Sequence, residues 1–174
     1  VSPGSINFGT VAAGSNVQAS FTVTNTAGAA LTNGLASVSG GPFTILSGSP
    51  FNLAGFGSTN VVVRFTPASS GAFSNVVIFT TGNDGNSTNP VTGTGAIVPA
   101  ANFTGTPTIG LKPLAVTFTD TSIGTITNRF WDFGDGFTTN TTATSLTHDY
   151  VNASTNTVLL TVTGPVGSNS LTRA

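Results

Sequence analysis

Val17-Gln18-Ala19-Ser20-Phe21-Thr22-Val23-Thr24 decides how the rest of the chain is read. Val17, Ala19, Phe21 and Val23 fall on one face of an extended strand, and Gln18, Ser20, Thr22 and Thr24 fall on the other. The same period of two returns in Thr59–Thr66, where Val61, Val63 and Phe65 alternate with Asn60, Val62, Arg64 and Thr66. Phe73, Val77 and Phe79 repeat it before the turn Gly82-Asn83-Asp84-Gly85. Leu114, Val116 and Phe118 repeat it again, as do Val158, Leu160 and Val162. No stretch carries the three-and-four apolar spacing of a helix, and Thr, Val and Gly are poor helix formers. Short strands at regular intervals, bounded by Gly, Asn, Ser and Pro, predict an all-β sandwich architecture.

Composition narrows the function classes. Only 5% of the 174 residues are charged, against about 25% in an average soluble protein. A hydrophobic fraction of 38% with a formal charge of −1 argues for a folded chain rather than a disordered one. There is no Glu; the acids are Asp84, Asp120, Asp132, Asp135 and Asp149. Arg64, Lys112, Arg129 and Arg173 are scattered singly, whereas nucleic acids and anionic lipid surfaces need clustered cations. No apolar run approaches the roughly 18 residues of a spanning helix, so membrane insertion is not expected. A chain that begins at Val1 reads as a mature segment or an excised piece. An exported chain free of cysteine would suit a bacterial source better than an animal ectodomain.

The strand pattern breaks near residue 97. Gly93-Thr94-Gly95 closes one series, Pro99 interrupts the next residues, and a second series follows. The expected organisation is a module over 1–95, a linker over 96–99 stiffened by Pro99, and a module over 100–174. Phe21–Thr26 (FTVTNT) and Val116–Thr121 (VTFTDT) look alike, either as equivalent strands of two related sandwiches or through shared strand chemistry alone.

The run Phe130-Trp131-Asp132-Phe133-Gly134-Asp135-Gly136 matches the W-D-F-G-D-G motif of the PKD domain. Pro113–Phe118 upstream, His148-Asp149-Tyr150 downstream and the strand Val158–Gly164 support it. Residues 100–174 therefore resemble a PKD domain, which implies an immunoglobulin-like sandwich with Trp131 in its core. Ser154-Thr155-Asn156 stands where the family has G-x-Y, which puts the turn and an aromatic core contact there in doubt. In the first half, Ser5–Val11, Phe21–Thr26 and Val63-Arg64-Phe65-Thr66-Pro67 with Gly71 resemble the Hydin-type (ASH) immunoglobulin-like module of bacterial surface proteins. Together the resemblances imply two tandem immunoglobulin-like β-sandwiches of an extracellular protein.

The polar residues offer little chemistry. Asp132 and Asp135 read either as metal ligands or as structural groups, one alternating outward from Trp131 and Phe133, the other capping the Gly134–Gly136 turn. With Asp120 they are candidate calcium ligands, supplemented by Thr121 and Ser122. Calcium takes roughly six to eight oxygens, and no D-x-D-x-D-G loop is present. His148 and Asp149 are neighbours on a strand and point to opposite faces, so no triad with a serine is expected. His148 and Tyr150 instead belong to the structural motif with Trp131, Phe133 and the two glycines. Sequons at Asn86, Asn102, Asn140 and Asn152 follow from an Asn-, Ser- and Thr-rich composition. Lys112, the only lysine, has no Glu to assist an isopeptide bond.

No catalytic residue and no cofactor is expected. Val61-Val62-Val63 and Val76–Phe79 are strongly β-prone, with only Arg64 and Pro67 as nearby gatekeepers. Edge strands of this kind would let copies pair, unless the two segments are interior and fully paired. The expected role is a structural surface module (spacer, stalk or filament subunit) whose partners are itself or neighbouring domains. The alternative is an accessory module binding polysaccharide, protein or matrix for a secreted hydrolase or adhesin.

Overall fold

The structure, a computed structural model, describes all 174 residues and contains fifteen strands and no helix. The chain divides into two compact units, Val1–Ala96 and Ile97–Ala174.

The first unit holds β1 (Ile6–Ala12), β2 (Val17–Thr24), β3 (Leu31–Val38), β4 (Phe43–Ser47), β5 (Phe51–Leu53), β6 (Ser58–Phe65), β7 (Gly71–Thr80) and β8 (Asn86–Ala96). One sheet runs β1-β8-β7-β3-β5 and the other β2-β6-β4. Alternation puts Phe21, Val61, Val63 and Phe65 of one sheet and Val77, Phe79 and Val91 of the other into a common core. Phe21 meets Phe79 edge-on at 5.5 Å between ring centroids, and Phe65 stacks on Phe43 at 4.9 Å. Each fully buried side chain of this size contributes about 1.5–3 kcal/mol, which lets a sandwich without disulfides hold together. Gly93 makes room for that stack, because a Cβ there would come within 2.6 Å of the Phe65 ring.

The second unit holds β9 (Phe103–Thr106), β10 (Leu114–Asp120), β11 (Asn128–Asp132), β12 (Thr138–Thr141), β13 (Ser145–Tyr150), β14 (Val158–Gly164) and β15 (Gly167–Arg173). Its sheets run β13-β10-β9 and β12-β11-β14-β15, antiparallel throughout. Phe103, Phe118, Trp131, Phe133, Leu160 and Val162 form its core.

Three sequence expectations meet the structure here. The boundary between the two units falls between Ala96 and Ile97, inside the span expected as the linker. Ala96 is buried as the last residue of β8. Ile97 donates its N–H to Thr125 Oγ1 and accepts from the Thr125 N–H, which ties it into the second unit. The β-prone segments are not edges: β6 lies between β2 and β4, and β7 between β8 and β3. The interior alternative is the one found, because these most apolar strands bury the most surface when flanked on both sides. The likeness of FTVTNT and VTFTDT is structural at its polar end. Asn25 Oδ1 accepts the Ala27 N–H at 3.1 Å, and Asp120 Oδ1 accepts the Ser122 N–H at 2.8 Å, so each ends its strand in the same Asx turn.

Candidate functional site

The Trp131–Gly136 segment closes β11 in a tight turn. Trp131 is 1% exposed and packs edge-on against Phe103 at 5.1 Å, parallel to Phe133 at 6.2 Å. Its Nε1 has no hydrogen-bond partner. Asp132 Oδ1 accepts the Gly134 N–H at 2.9 Å, and Asp135 Oδ1 accepts the Phe137 N–H at 3.1 Å, so the turn consists of two successive Asx bonds. Gly134 sits at φ +78° against the Thr157 backbone, where a Cβ would lie 2.5 Å from the Thr157 carbonyl oxygen. Only glycine combines that φ with that approach at low cost.

β13 brings His148 and Tyr150 to the same turn. The His148 ring lies flat on Phe133, centroids 4.1 Å apart, with Phe137 stacked on it at 5.3 Å. Its Nε2 meets Asp135 Oδ2 at 2.8 Å. Tyr150, buried, donates its hydroxyl to the Phe133 carbonyl at 3.0 Å. Burial pushes the Tyr150 phenol up to about 12, helped by the negative charges of Asp135 and Asp132. For Asp135, burial pulls upward but is outweighed by the His148 hydrogen bond and the Phe137 N–H, so its carboxyl lies below the usual range. Trp131, Asp132, Phe133, Gly134, Asp135, Gly136, His148 and Tyr150 thus form one aromatic and hydrogen-bonded cluster at one end of the second unit.

Asp120 stands elsewhere. It is buried and pairs with the Arg129 guanidinium, whose Nη1 also donates to the Thr142 carbonyl at 3.0 Å. Desolvation raises the Asp120 pKa, but the Ser122 hydroxyl and N–H and the Arg129 contact outweigh it, and the net shift is downward. The three calcium candidates Asp120, Asp132 and Asp135 are therefore engaged with different partners. No group of three or more His, Cys, Asp and Glu side chains converges on a metal position anywhere in the chain. Sequence reasoning missed the Asp120–Arg129 pair. The signal was present: Arg129 shares a strand face with Trp131, so it points inward, and an inward arginine needs an acid.

His148 bonds Asp135 rather than Asp149, and no serine joins them. Each unit carries an open groove. One of about 470 Å³ lies beside Ala36, Val38, Phe43 and Ile45. The other, about 280 Å³, lies beside Phe133, Phe137, Thr139 and His148. Neither gathers a nucleophile with a base.

Two sandwiches with short turns, aromatic cores and no convergent polar chemistry define the class as tandem immunoglobulin-like modules. The HYDIN/CFA65/VesB-like Ig-like domain family matches residues 1–96, and the PKD domain matches residues 98–173. The chain belongs to the HYDIN/CFA65/VesB-like Ig-like domain family and carries a PKD domain after it. Domains of these kinds are structural or adhesion-type modules, generally non-catalytic and typical of extracellular proteins. Among solved structures, the amphioxus IgVJ-C2 molecule is similar, with 10% identity and a TM-score of 0.57 over 94% of this chain and 97% of that one. The titin I-band fragment I67–I69 gives 11% identity and a TM-score of 0.57 over 94% of this chain and 59% of the fragment. The complex of Dpr11 IG1 with DIP-gamma gives 11% identity and a TM-score of 0.52, covering 97% and 93%. These likenesses concern the fold alone. No curated protein matches the sequence.

Proposed function

We propose that the chain is a non-catalytic structural module of an extracellular bacterial surface protein, serving as a spacer, stalk or self-assembling filament subunit. The observation that carries this reading is the chemistry of the sheet edges. β1, β2, β4, β5, β9 and β12 all lie at an edge, and none contains Asp, Glu, Lys or Arg. Edge strands present unpaired N–H and C=O groups, and soluble proteins commonly guard them with charge, lysine above all. A chain that leaves most of its edges neutral has little electrostatic resistance to lying against further copies or neighbouring domains. Its cores supply the rigidity a spacer needs, and its buried polar residues are engaged within their own units: Asn25 and Asn89 bond backbone carbonyls in the first, and Asp120 pairs with Arg129 in the second.

Negative-stain electron microscopy of the purified chain across a dilution series tests the reading. Fibres with a regular repeat are expected to appear as concentration rises. Isolated particles at every concentration would overturn self-assembly. A second reading, an accessory polysaccharide- or protein-binding module of a secreted hydrolase or adhesin, draws on one feature. Three loops at one end of the second unit expose Ile109, Leu111, Phe137 and Val151. Charged substitutions on the edge strands would abolish assembly but leave such binding intact.

A further inference from the structure

The edges are not equally available. β1 is bulged between Asn7 and Thr10, and β4 between Ile45 and Ser47; bulges twist an edge away from a partner. β5 has three residues, and β9 and β12 have four. β2 is bridged by Ser2, which exchanges two backbone hydrogen bonds with Thr22. β13 carries Asp149. β15 differs from all of them: its seven residues pair with β14 in unbroken register. Its only charge, Arg173, is turned back into its own module, where the guanidinium lies over Phe103 and bonds Asn102 Oδ1 at 2.8 Å.

We infer that β15 is a self-recognition edge, pairing antiparallel with β15 of a second copy about a two-fold axis. The inference rests on the reading that copies associate through their sheet edges, and it names the strand and the register. Asn169, Leu171 and Arg173 face inward. Asn169 Oδ1 accepts the Ala101 N–H, and Leu171 packs on the core. Ser168, Ser170 and Thr172 face outward, where Ser170 Oγ meets Thr161 Oγ1 of β14 at 2.8 Å. Every second residue of an edge strand directs its N–H and C=O away from its neighbour, and in β15 these groups have no other backbone partner.

A two-fold axis through Ser170 sets Ser170 opposite Ser170 of the partner copy, Ser168 opposite Thr172 and Gly167 opposite Arg173. Hydroxyls then face hydroxyls, the Thr161–Ser170 pairing already present continues across the junction, and no like charges meet. β14 and β15 of the two copies form one antiparallel sheet. A two-fold contact of this kind closes on itself, so it joins two chains side by side and leaves the other edges and ends to any longer assembly.

Sedimentation of the full 174-residue chain over a concentration series tests this. The weight-average mass is expected to rise from one chain toward two. Ser170→Lys, which sets two like charges face to face, is expected to hold it at one, with circular dichroism unchanged. Because that variant could disturb folding, the register is read separately. Ser168→Lys with Thr172→Glu places opposite charges across the axis and retains the dimer with increased salt sensitivity. Ser168→Lys with Thr172→Lys loses the dimer. A chain that stays single at all concentrations, a Ser170→Lys variant that pairs like the parent, or equal behaviour of the two double variants overturns the inference. Fibres that persist in Ser170→Lys would leave the filament reading standing and remove β15 from it. Ser170-dependent pairs without any fibre would do the reverse.

Discussion

Replacing Tyr150 with Phe removes one oxygen from the second module and makes its stability respond differently to alkali. The hydroxyl donates to the Phe133 carbonyl at 3.0 Å in a buried position. Leaving that carbonyl unpaired costs about 1–2 kcal/mol near neutral pH. The parent pays nothing there, but its phenol has a folded-state pKa raised to about 12 by burial and by Asp135 and Asp132. The unfolded chain ionises near 10. Below about pH 10 both states keep the proton and the contribution is complete; between about 10 and 12 the unfolded state releases it first, and stability is lost. The slope approaches about 1.4 kcal/mol per pH unit, and the total loss approaches about 3 kcal/mol. Tyr150→Phe lacks this loss. The two stability curves from urea unfolding are therefore expected to converge and cross between about pH 11 and 12. Tyr150 is the only tyrosine, so the ultraviolet phenolate band reads this one group in the native protein. A native titration midpoint near 10, or parallel stability curves for parent and variant, would refute the reasoning.

Trp131→Ala is expected to cost about 3–5 kcal/mol by opening a cavity among Phe103, Phe118 and Phe133, read by calorimetry as selective loss of the second unit's transition. Asp120→Asn leaves the Arg129 guanidinium without its counter-charge and is expected to cost about 3 kcal/mol in urea unfolding. Because the folded Asp120 pKa is depressed, its contribution is present above the unfolded value of about 4 and is lost as pH falls through the lower folded value; Asp120→Asn should flatten that part of the acid-unfolding curve. Gly134→Ala forces a Cβ toward the Thr157 carbonyl at positive φ, and a loss of about 1–3 kcal/mol is expected by thermal unfolding. Added calcium chloride is expected to leave the melting temperature unchanged, whereas specific binding would raise it with concentration.

The period-two alternation of Val17–Thr24 and its repeats contains the all-β class, the core residues and the strand positions. Side-chain direction along a strand is a local property, readable without knowing what lies opposite. The Asp135 cap of the Trp131–Gly136 turn is legible for the same reason, since an Asx bond is settled within a few residues, whereas the Asp132 bond to the Gly134 N–H appears only in the structure. What lies across space was not legible. Val61–Val63 and Val76–Phe79 carry the marks of sticky strands, and only the sheet order shows them flanked on both sides. Asp120 reads as a candidate calcium ligand until β11 sets Arg129 against it. His148 reads as a neighbour of Asp149 until the fold stacks it on Phe133 and turns it to Asp135. β15 attracts no attention as Gly167–Arg173 in a list of residues; its open edge exists because strand order leaves it last and Arg173 folds away from it. Strand identity is encoded by short-range periodicity, whereas edges, ion pairs and ring stacks depend on which distant strands become neighbours, and that is decided by packing two sheets around one core.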